Sequence, residues 1–383
     1  MKVIFCMRKI ISVITVLIIL LVGCSPAEKD YSAVDSFGEN DAYITGVWIS
    51  YTELDGMLSG NNFKDNFNAA LKLLKDKGIT DIFVHTRAFC DSIYKSRHFP
   101  LRDSVKGYDF DILEYMINEC HKVDIKFHAW INPYRVRTAD TDVNALPDDS
   151  IVKKWLTDED AQNNVNVCFS GGIYLNPASS EVRQLITDGI REIVSEYQVD
   201  GIHFDDYFYP TQESAFDEAS YKIYCEGTQK PLDLDDWRRA NVNALISGCF
   251  TAVKFSDSNI VFSISPSASI SENYSRHYAD VSSWIKSGCV DYIIPQLYFG
   301  FDYPDSNFKF EKLLKDWQKL TKDSNTRLII GLASYKINTQ NEPDKEEWSN
   351  GTAVINRQAE ICKKSPDVSG LVYFSYSSFK EYL

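Results

Sequence analysis

Residues 181–206 read EVRQLITDGIREIVSEYQVDGIHFDD, and this stretch joins a helical pattern to a strand pattern. In its first part, apolar residues such as Leu185, Ile186 and Ile190 recur at intervals of three and four, which is the spacing of one face of an amphipathic helix. The second part, from Asp200, is a short apolar run typical of a buried strand. A helix followed directly by such a strand is a building unit of α/β proteins with parallel sheets.

The same alternation extends along the chain on both sides of this stretch. Eight segments have the composition of strands, namely ITGVWIS from Ile44, TDIFVHT from Thr80, IKFHAWI from Ile125, DGIHFDD from Asp200, IVFSISP from Ile260, DYIIPQL from Asp291, RLIIGLA from Arg327 and SGLVYFS from Ser369. Helical patterns between them include NFNAALKLLKDKG, whose last residue, Gly78, we expect to cap the helix. Eight strands, each apart from the last followed by a helix, predict a parallel (β/α)8 TIM barrel.

An open doubly wound sheet is the alternative for this alternation. Such sheets often bind dinucleotides at a G-x-G-x-x-G loop after the first strand, but GVWISYTELDG, residues 46–56, lacks that loop. The gap between the third and fourth strands is the longest. We expect its residues, from Pro133 to Ser179, to form an elaborated loop over the top face of the barrel.

The N-terminal residues have the pattern of an export signal. Lys2, Arg8 and Lys9 precede an apolar run too short for a comfortable membrane span, and the run ends in LVGC at Cys24. This pattern resembles a bacterial lipoprotein signal, cleaved before Cys24 and lipidated on its thiol. The predicted organisation is therefore a signal peptide over 1–23, a tether over 24–41 and one catalytic domain over 42–383. We expect a membrane-anchored protein that faces the extracytoplasmic side.

Composition narrows the classes of partner. The formal net charge is -14, which argues against a nucleic-acid binder that would follow phosphates with basic stripes. Aromatic residues make up 13% of the chain, and they can either pack in a core or stack on sugar rings. The cysteines have no zinc-ligand spacing, and a metal site drawn through His85 and His128 has no third ligand with suitable spacing. We expect neither a metal nor a cofactor.

Two adjacent aspartates, Asp205 and Asp206, end the fourth predicted strand. Active residues of (β/α)8 barrels lie at these carboxyl ends. Like charge and burial raise the proton affinity of a carboxyl group, so one aspartate can hold a proton while the other stays ionised. Strand alternation directs them to different sides, one to the cleft and one to a partner such as Arg87 or Arg135, with His203 beneath Asp205. An ion pair that caps the barrel rim is the alternative.

Acid pairs among aromatic rings are typical of glycoside hydrolysis. One carboxylic acid protonates the leaving oxygen, and a second carboxylate attacks the sugar, activates water or stabilises the oxocarbenium-like transition state. From the residues alone, the proton donor stays open among five candidates, which are Asp206, Asp205, Asp91, Glu53 and Glu213.

Several longer motifs carry a family resemblance. GVWIS, HAWINPYR, YLNPASSEVRQLITDGIREIVSEYQVDGIHFDDYFYP, SISPS and DYIIPQLY occur in this order. Together they resemble the glycosyl-hydrolase-like family 10 proteins, bacterial (β/α)8 proteins that are often exported as lipoproteins. The resemblance covers the chain from about Ala42 onward. It implies glycosidase activity, which in at least one branch acts on peptidoglycan strands whose stem peptides have been removed.

Eleven positions match the family's motif blocks, namely Arg87, Asp91, His128, Asn132, Arg135, Asp205, Asp206, Tyr207, Gln296, Tyr298 and Lys336. The resemblance implies catalytic roles for the three aspartates and substrate contacts for the others. Asp91 could be the second catalytic acid or a turn cap. His128 could bind a sugar hydroxyl or be a satisfied histidine of the barrel interior, and Tyr298 could be a sugar contact or core. A looser likeness to glycoside hydrolase family 18 lacks its acid glutamate, because Tyr207 stands at that position.

The sequence therefore predicts an exported, lipid-anchored glycoside hydrolase that acts on a cell-envelope or extracellular polysaccharide, with a glycan that contains N-acetylhexosamine favoured. A carbohydrate-binding lipoprotein that keeps the barrel without catalysis is the alternative from another class. Polysaccharide deacetylation is a third hypothesis, but it needs a metal triad that the sequence does not offer.

Overall fold

The computed structural model describes residues 42–160 and 163–383. The predicted signal peptide, the tether and the lipidated Cys24 lie outside the described residues. None of the helices within the described ranges combines the length and the apolar character that a membrane span requires.

Eleven strands are present in the described residues, and eight of them close into a barrel. Their bounds are β1 Ile44–Ile49, β2 Asp81–Arg87, β3 Lys126–Ile131, β4 Arg135–Arg137, β5 Val167–Phe169, β6 Ile173–Leu175, β7 Gly201–Phe204, β8 Val261–Ile264, β9 Tyr292–Ile293, β10 Arg327–Leu332 and β11 Gly370–Tyr373. Around the barrel the order is β1-β11-β10-β9-β8-β7-β3-β2, and every neighbouring pair is parallel. The predicted (β/α)8 barrel and all eight predicted strand segments are confirmed.

Helices follow the barrel strands on the outside. Their bounds are α1 Tyr51–Leu58, α2 Phe63–Asp76, α3 Ile112–Lys122, α4 Ile151–Thr157, α5 Ser180–Glu196, α6 Glu218–Gly227, α7 Leu234–Ser256, α8 Ile270–Arg276, α9 Val281–Ser287, α10 Phe310–Thr321, α11 Lys345–Trp348, α12 Ala353–Lys364 and α13 Tyr376–Tyr382. Gly78 follows α2 with φ +76°, as the predicted cap requires. The expectation that no helix follows the last strand was wrong, since α13 does; its 7 residues are too few to show a helical period in the sequence.

Two apolar cores hold these layers together. The larger core lies between the strands and the surrounding helices. The smaller one consists of Ile44, Trp48, Phe83, Trp130, Tyr292, Ile294, Ile329 and Val372. Because these side chains come from six different barrel strands and point to the same side of the sheet, they fill the lumen, and the barrel is a packed core rather than a pore.

The segment between β3 and β7 is more ordered than a loop. It contains α4 and a three-stranded antiparallel sheet of order β4-β6-β5, in which Arg135 of β4 pairs with Tyr174 of β6. These strands have only three residues each, which is why alternation could not identify them in the sequence. Both paired residues reach the cavity described below.

Candidate active site

The carboxyl ends of the barrel strands surround a cavity of about 850 Å³. Its wall combines aromatic rings with few charged groups. The aromatic lining residues are Trp48, Tyr51, Trp130, Tyr174, Tyr207, Phe208, Tyr209, Tyr298, Tyr335 and Phe374. The other titratable lining residues are Glu53, His85, Arg135 and Asp205. A cavity of this size and composition suits a sugar with several rings, because pyranose faces stack on aromatic side chains.

Asp205 lies on this wall directly after β7 and is buried, with 2% of its surface exposed. The indole Nε1 of Trp130 donates to its Oδ2 at 3.2 Å, and the backbone N–H of Tyr207 donates to its Oδ1 at 3.3 Å. Burial, followed by the negative charge of Asp206, raises the pKa of Asp205 to about 8. At neutral pH this carboxyl group therefore carries a proton while it faces the cavity.

Asp206 is half-buried and does not belong to the cavity wall. Burial raises the pKa of Asp206 too, and the charge of His277 is the first influence that opposes this shift. A hydrogen bond to Gln296 and the charge of Arg135 act in the same opposing direction. The two aspartates thus face different sides, and Asp206 has the surroundings that better tolerate a negative charge.

Trp130, whose indole donates to Asp205, stacks on His85. The ring centroids of Trp130 and His85 are 3.3 Å apart in a stacked arrangement. His85 Nδ1 accepts from the backbone N–H of Tyr51 at 3.2 Å, so its Nε2 carries the proton and donates to Asn132 Oδ1 at 3.2 Å. Burial lowers the pKa of His85 well below its ordinary value, so the ring is neutral. These contacts fix the orientation of Trp130 and, through it, of Asp205.

His203 forms part of the floor below the cavity, as expected. Its Nε2 accepts from Trp48 Nε1 at 3.0 Å, and its Nδ1 lies 2.9 Å from the hydroxyl of Ser263. Burial lowers the pKa of His203 well below its ordinary value. Because His203 is neutral, it places no positive charge below Asp205 that would stabilise the ionised carboxylate.

Glu53 also lies on the wall, but its oxygens are occupied. Oε2 accepts from the backbone N–H and the hydroxyl of Ser50, both at 2.8 Å. Oε1 accepts from the hydroxyl of Ser375 and from the N–H and hydroxyl of Ser377, all at 2.6 Å. A carboxylate has about four lone-pair sites, so five donors leave none for water or sugar. Glu53 joins the start of α1 to the start of α13 and is not available as the proton donor.

Two further carboxylate candidates lie away from the cavity wall. Asp91 forms an ion pair in which Arg102 Nε donates to Oδ2 at 2.8 Å, and its Oδ1 accepts from the backbone N–H of Phe89 at 3.3 Å. This is the turn-cap arrangement, and it gives the predicted catalytic role of Asp91 no geometric support. Glu213 is exposed and is absent from the cavity lining. Asp205 is therefore the proton-donor candidate that this geometry favours.

Four of the predicted substrate contacts lie on the cavity wall, namely Arg135, Tyr207, Gln296 and Tyr298. The Arg135 guanidinium carbon lies 4.0 Å from the centroid of the Tyr207 ring. Tyr298 stacks on Phe374 with ring centroids 6.0 Å apart. Gln296 Nε2 donates to the carbonyl of Ser265 at 2.9 Å. A side-chain hydrogen bond from Gln296 also favours the ionised form of Asp206.

The other four are buried away from the wall, and the geometry does not support direct contact with substrate. Arg87 stacks on Phe99 at 3.6 Å, behind β2 on the helix side. His128 is fully buried in the lumen with Nε2 2.9 Å from Asp81 Oδ1, which is the interior histidine of the two interpretations. Asn132 supports His85, and Lys336 donates to Glu342 Oε2 at 2.7 Å.

Several wall residues were not among the predicted site residues, chiefly Trp48, His85, Trp130, Tyr335 and Phe374. His128 and Trp130 are two residues apart on β3, so their side chains point to the same side of the strand. Two residues along a strand correspond to roughly 7 Å of depth, so only the last inward residues reach the cavity. The distance of an inward-pointing residue from the end of its strand is therefore the signal that distinguishes cavity residues from residues buried deeper in the lumen.

Within residues 42–160 and 163–383, no three His, Cys, Asp or Glu side chains are grouped so that they could hold a metal ion.

The family model of glycosyl hydrolase-like 10 matches residues 43–350. The glycosyl hydrolase YngK of Bacillus subtilis (strain 168) is 31% identical over 92% of this chain and 72% of its own length. The glycosyl hydrolase DigH of Escherichia coli (strain K12) is 31% identical over 79% of this chain and 73% of its own length.

Solved structures share the fold at low identity. The glycoside hydrolase domain of PgaB (BpsB) from Bordetella bronchiseptica has a TM-score of 0.58 at 11% identity and covers 89% of this chain and 96% of its own. Alpha-L-fucosidase isoenzyme 2 from Paenibacillus thiaminolyticus has a TM-score of 0.55 at 11% identity, over 87% of this chain and 46% of its own. At these identities the likeness concerns the barrel alone.

Proposed function

Since this chain belongs to the glycosyl hydrolase-like 10 family, and by that membership to the glycoside hydrolases, we propose that it cleaves the glycan strands of peptidoglycan from which stem peptides have been removed. We propose further that it works outside the cytoplasm, anchored by a lipid on Cys24. The export pattern at the N-terminus and the likeness to exported family members support this location.

The observation that carries the proposed chemistry is the buried position of Asp205 on the wall of a large aromatic cavity, where burial raises the pKa of its carboxyl group to about 8. In our mechanism, its carboxyl group donates a proton to the glycosidic oxygen while the bond from that oxygen to C1 breaks. The leaving sugar departs as an alcohol and Asp205 becomes a carboxylate. A water molecule then forms a C–O bond to C1 and releases its proton to solvent. The aromatic wall binds the sugar faces and excludes bulk water.

The nearby negative charge of Asp206 has a definite part in this proposal. It disfavours the ionised form of Asp205 and so keeps the proton donor loaded at neutral pH. After proton transfer, the same repulsion favours reprotonation of Asp205 from solvent.

A non-catalytic glycan receptor is the second candidate, and one observation favours it. Apart from Asp205, the other carboxylate on the wall is Glu53, whose acceptor sites are taken up by serine donors. A two-carboxylate mechanism needs a second free group near the sugar. A receptor needs none.

The test is product release from peptide-free peptidoglycan strands, measured by mass spectrometry with residues 25–383. Wild type should release fragments, and Asp205→Asn should reduce the rate by at least about a hundredfold, since general acid catalysis typically contributes that much. Asp148→Asn is the control, because Asp148 is exposed and pairs with Lys153 far from the cavity lining. Binding without fragments, unchanged in Asp205→Asn, would favour the receptor.

A further inference from the structure

Arg135 is the sole lysine or arginine among the residues that line the described cavity. It is half-buried on β4, and no carboxylate of the described residues lies within ion-pair distance of it. Its neighbour on the same strand, Arg137, differs in this respect, since it pairs with Asp140. The cavity therefore contains one cation without a direct counter-ion.

The guanidinium of Arg135 packs against two aromatic rings. Its central carbon lies 4.0 Å from the centroid of the Tyr207 ring and 5.8 Å from that of Phe89. A guanidinium has five N–H donors, so one that packs on an aromatic ring still has donors for a ligand. Tyr207 is 53% exposed, and both Arg135 and Tyr207 line the cavity.

Asp206, off the wall, feels the charge of Arg135 but forms no ion pair with it, and the acidic groups on the wall form none either. Asp205 is protonated at neutral pH, and the oxygens of Glu53 are directed to Ser50, Ser375 and Ser377. A partly buried guanidinium is matched by a carboxylate, which can accept two of its N–H donors side by side. Hydroxyl groups of a neutral sugar offer neither the charge nor that geometry.

We propose that Arg135 binds a free carboxylate on the glycan, so that the substrate class is an acidic glycan and Arg135 determines that specificity. This inference rests on the proposed function. In a peptidoglycan strand, the matching group is the lactyl carboxylate of the muramic acid residue. In intact peptidoglycan that carboxyl group is an amide to the stem peptide and has no charge. An amide hydrolysis that removes the peptide must therefore supply this substrate.

The test compares peptide-free strands with the same strands after their carboxyl groups have been reduced to alcohols. Wild type should cleave the acidic strands at least about tenfold faster, as expected for a charge-assisted bidentate contact. Arg135→Gln should lose that preference and cleave the two kinds of strand at similar rates, whereas Arg137→Gln should retain it. Equal rates of wild type on both strands would overturn the inference and leave the proposed function intact.

Failure of the proposed function gives a different result, namely no cleavage of either strand. The inference is then tested by binding, with N-acetylmuramic acid and its methyl ester as probes in calorimetry. The inference is supported if wild type binds the acid but not the ester and Arg135→Gln no longer binds the acid. It is overturned if wild type binds both probes equally or binds neither. Should Arg135→Gln not melt cooperatively, Arg135→Lys replaces it, since lysine keeps the charge and loses the paired donors.

Discussion

At the scale of single residues, Asp205 and Asp206 show how one side-chain type takes two roles by position alone. Asp205 faces the cavity and is held by an indole N–H, while Asp206 lies to the side near Gln296 and His277. Strand alternation was enough to predict that they diverge. It could not say which one faces the cavity, because that depends on where β7 ends and on the partners that other strands bring.

The charge of Asp206 should set the upper pH limit of catalysis. In wild type, kcat/KM should fall as pH rises through about 8, because Asp205 then loses the proton that it must donate. In Asp206→Asn, removal of the like charge favours ionisation of Asp205 and lowers its pKa, so the fall should begin at lower pH. The pH profile of kcat/KM measures this shift. Asp148→Asn should leave the profile unchanged, and an unmoved profile in Asp206→Asn would refute the assignment.

At the scale of elements, the eight barrel strands were predictable because each is a short apolar run between turn signals or helical patterns. The strands of the antiparallel sheet β4-β6-β5 were not predictable, because three residues are too few to show an alternation of apolar and polar side chains. Arg135 and Tyr174 were thus assigned to a loop although they form a pair on adjacent strands. The resemblance could mark Arg135 as a site residue, but only the fold shows what it lacks, namely a counter-ion.

The start of β7 is shaped by the histidine of β3. A Cβ added at Gly201 would lie 2.2 Å from His128 Nδ1 and 3.1 Å from the carbonyl oxygen of Val261. His128 cannot move away easily, because it is fully buried and bonded to Asp81. At the start of β7, the lumen accommodates the His128 ring but has no space for a methyl group at position 201.

We therefore expect Gly201→Ala to lower the free energy of unfolding by about 1–3 kcal/mol, the usual effect of overpacking a buried site. Urea unfolding followed by circular dichroism measures it. Gly248→Ala is the matched control, since Gly248 lies inside α7 with its nearest neighbour atom at 3.9 Å from the added Cβ. There, alanine should raise stability by about 0.5–1 kcal/mol. Equal effects of the two substitutions would contradict this account of the lumen.

At the scale of the whole molecule, membrane attachment is predicted from residues that precede the described domain. A thiol that carries the lipid is required for anchoring, whereas the barrel is not. Cys24→Ala should therefore move the protein from the membrane to the soluble fraction and abolish labelling by a fatty-acid probe. Cys90→Ala is the control, because Cys90 is buried in the domain and should leave both readouts unchanged. A membrane-bound, unlabelled Cys24→Ala protein would instead indicate an uncleaved N-terminal anchor.

Barrel closure has a consequence for the order in which the chain can fold during synthesis. β1 lies between β2 and β11, and Glu53 just after β1 is fastened by Ser375 and Ser377 just after β11. The backbone groups on one edge of β1 therefore stay unpaired while more than 300 further residues are synthesised. An open strand edge invites pairing with other chains. A chaperone that binds the incomplete chain therefore has the most to protect at β1, until β11 pairs with it.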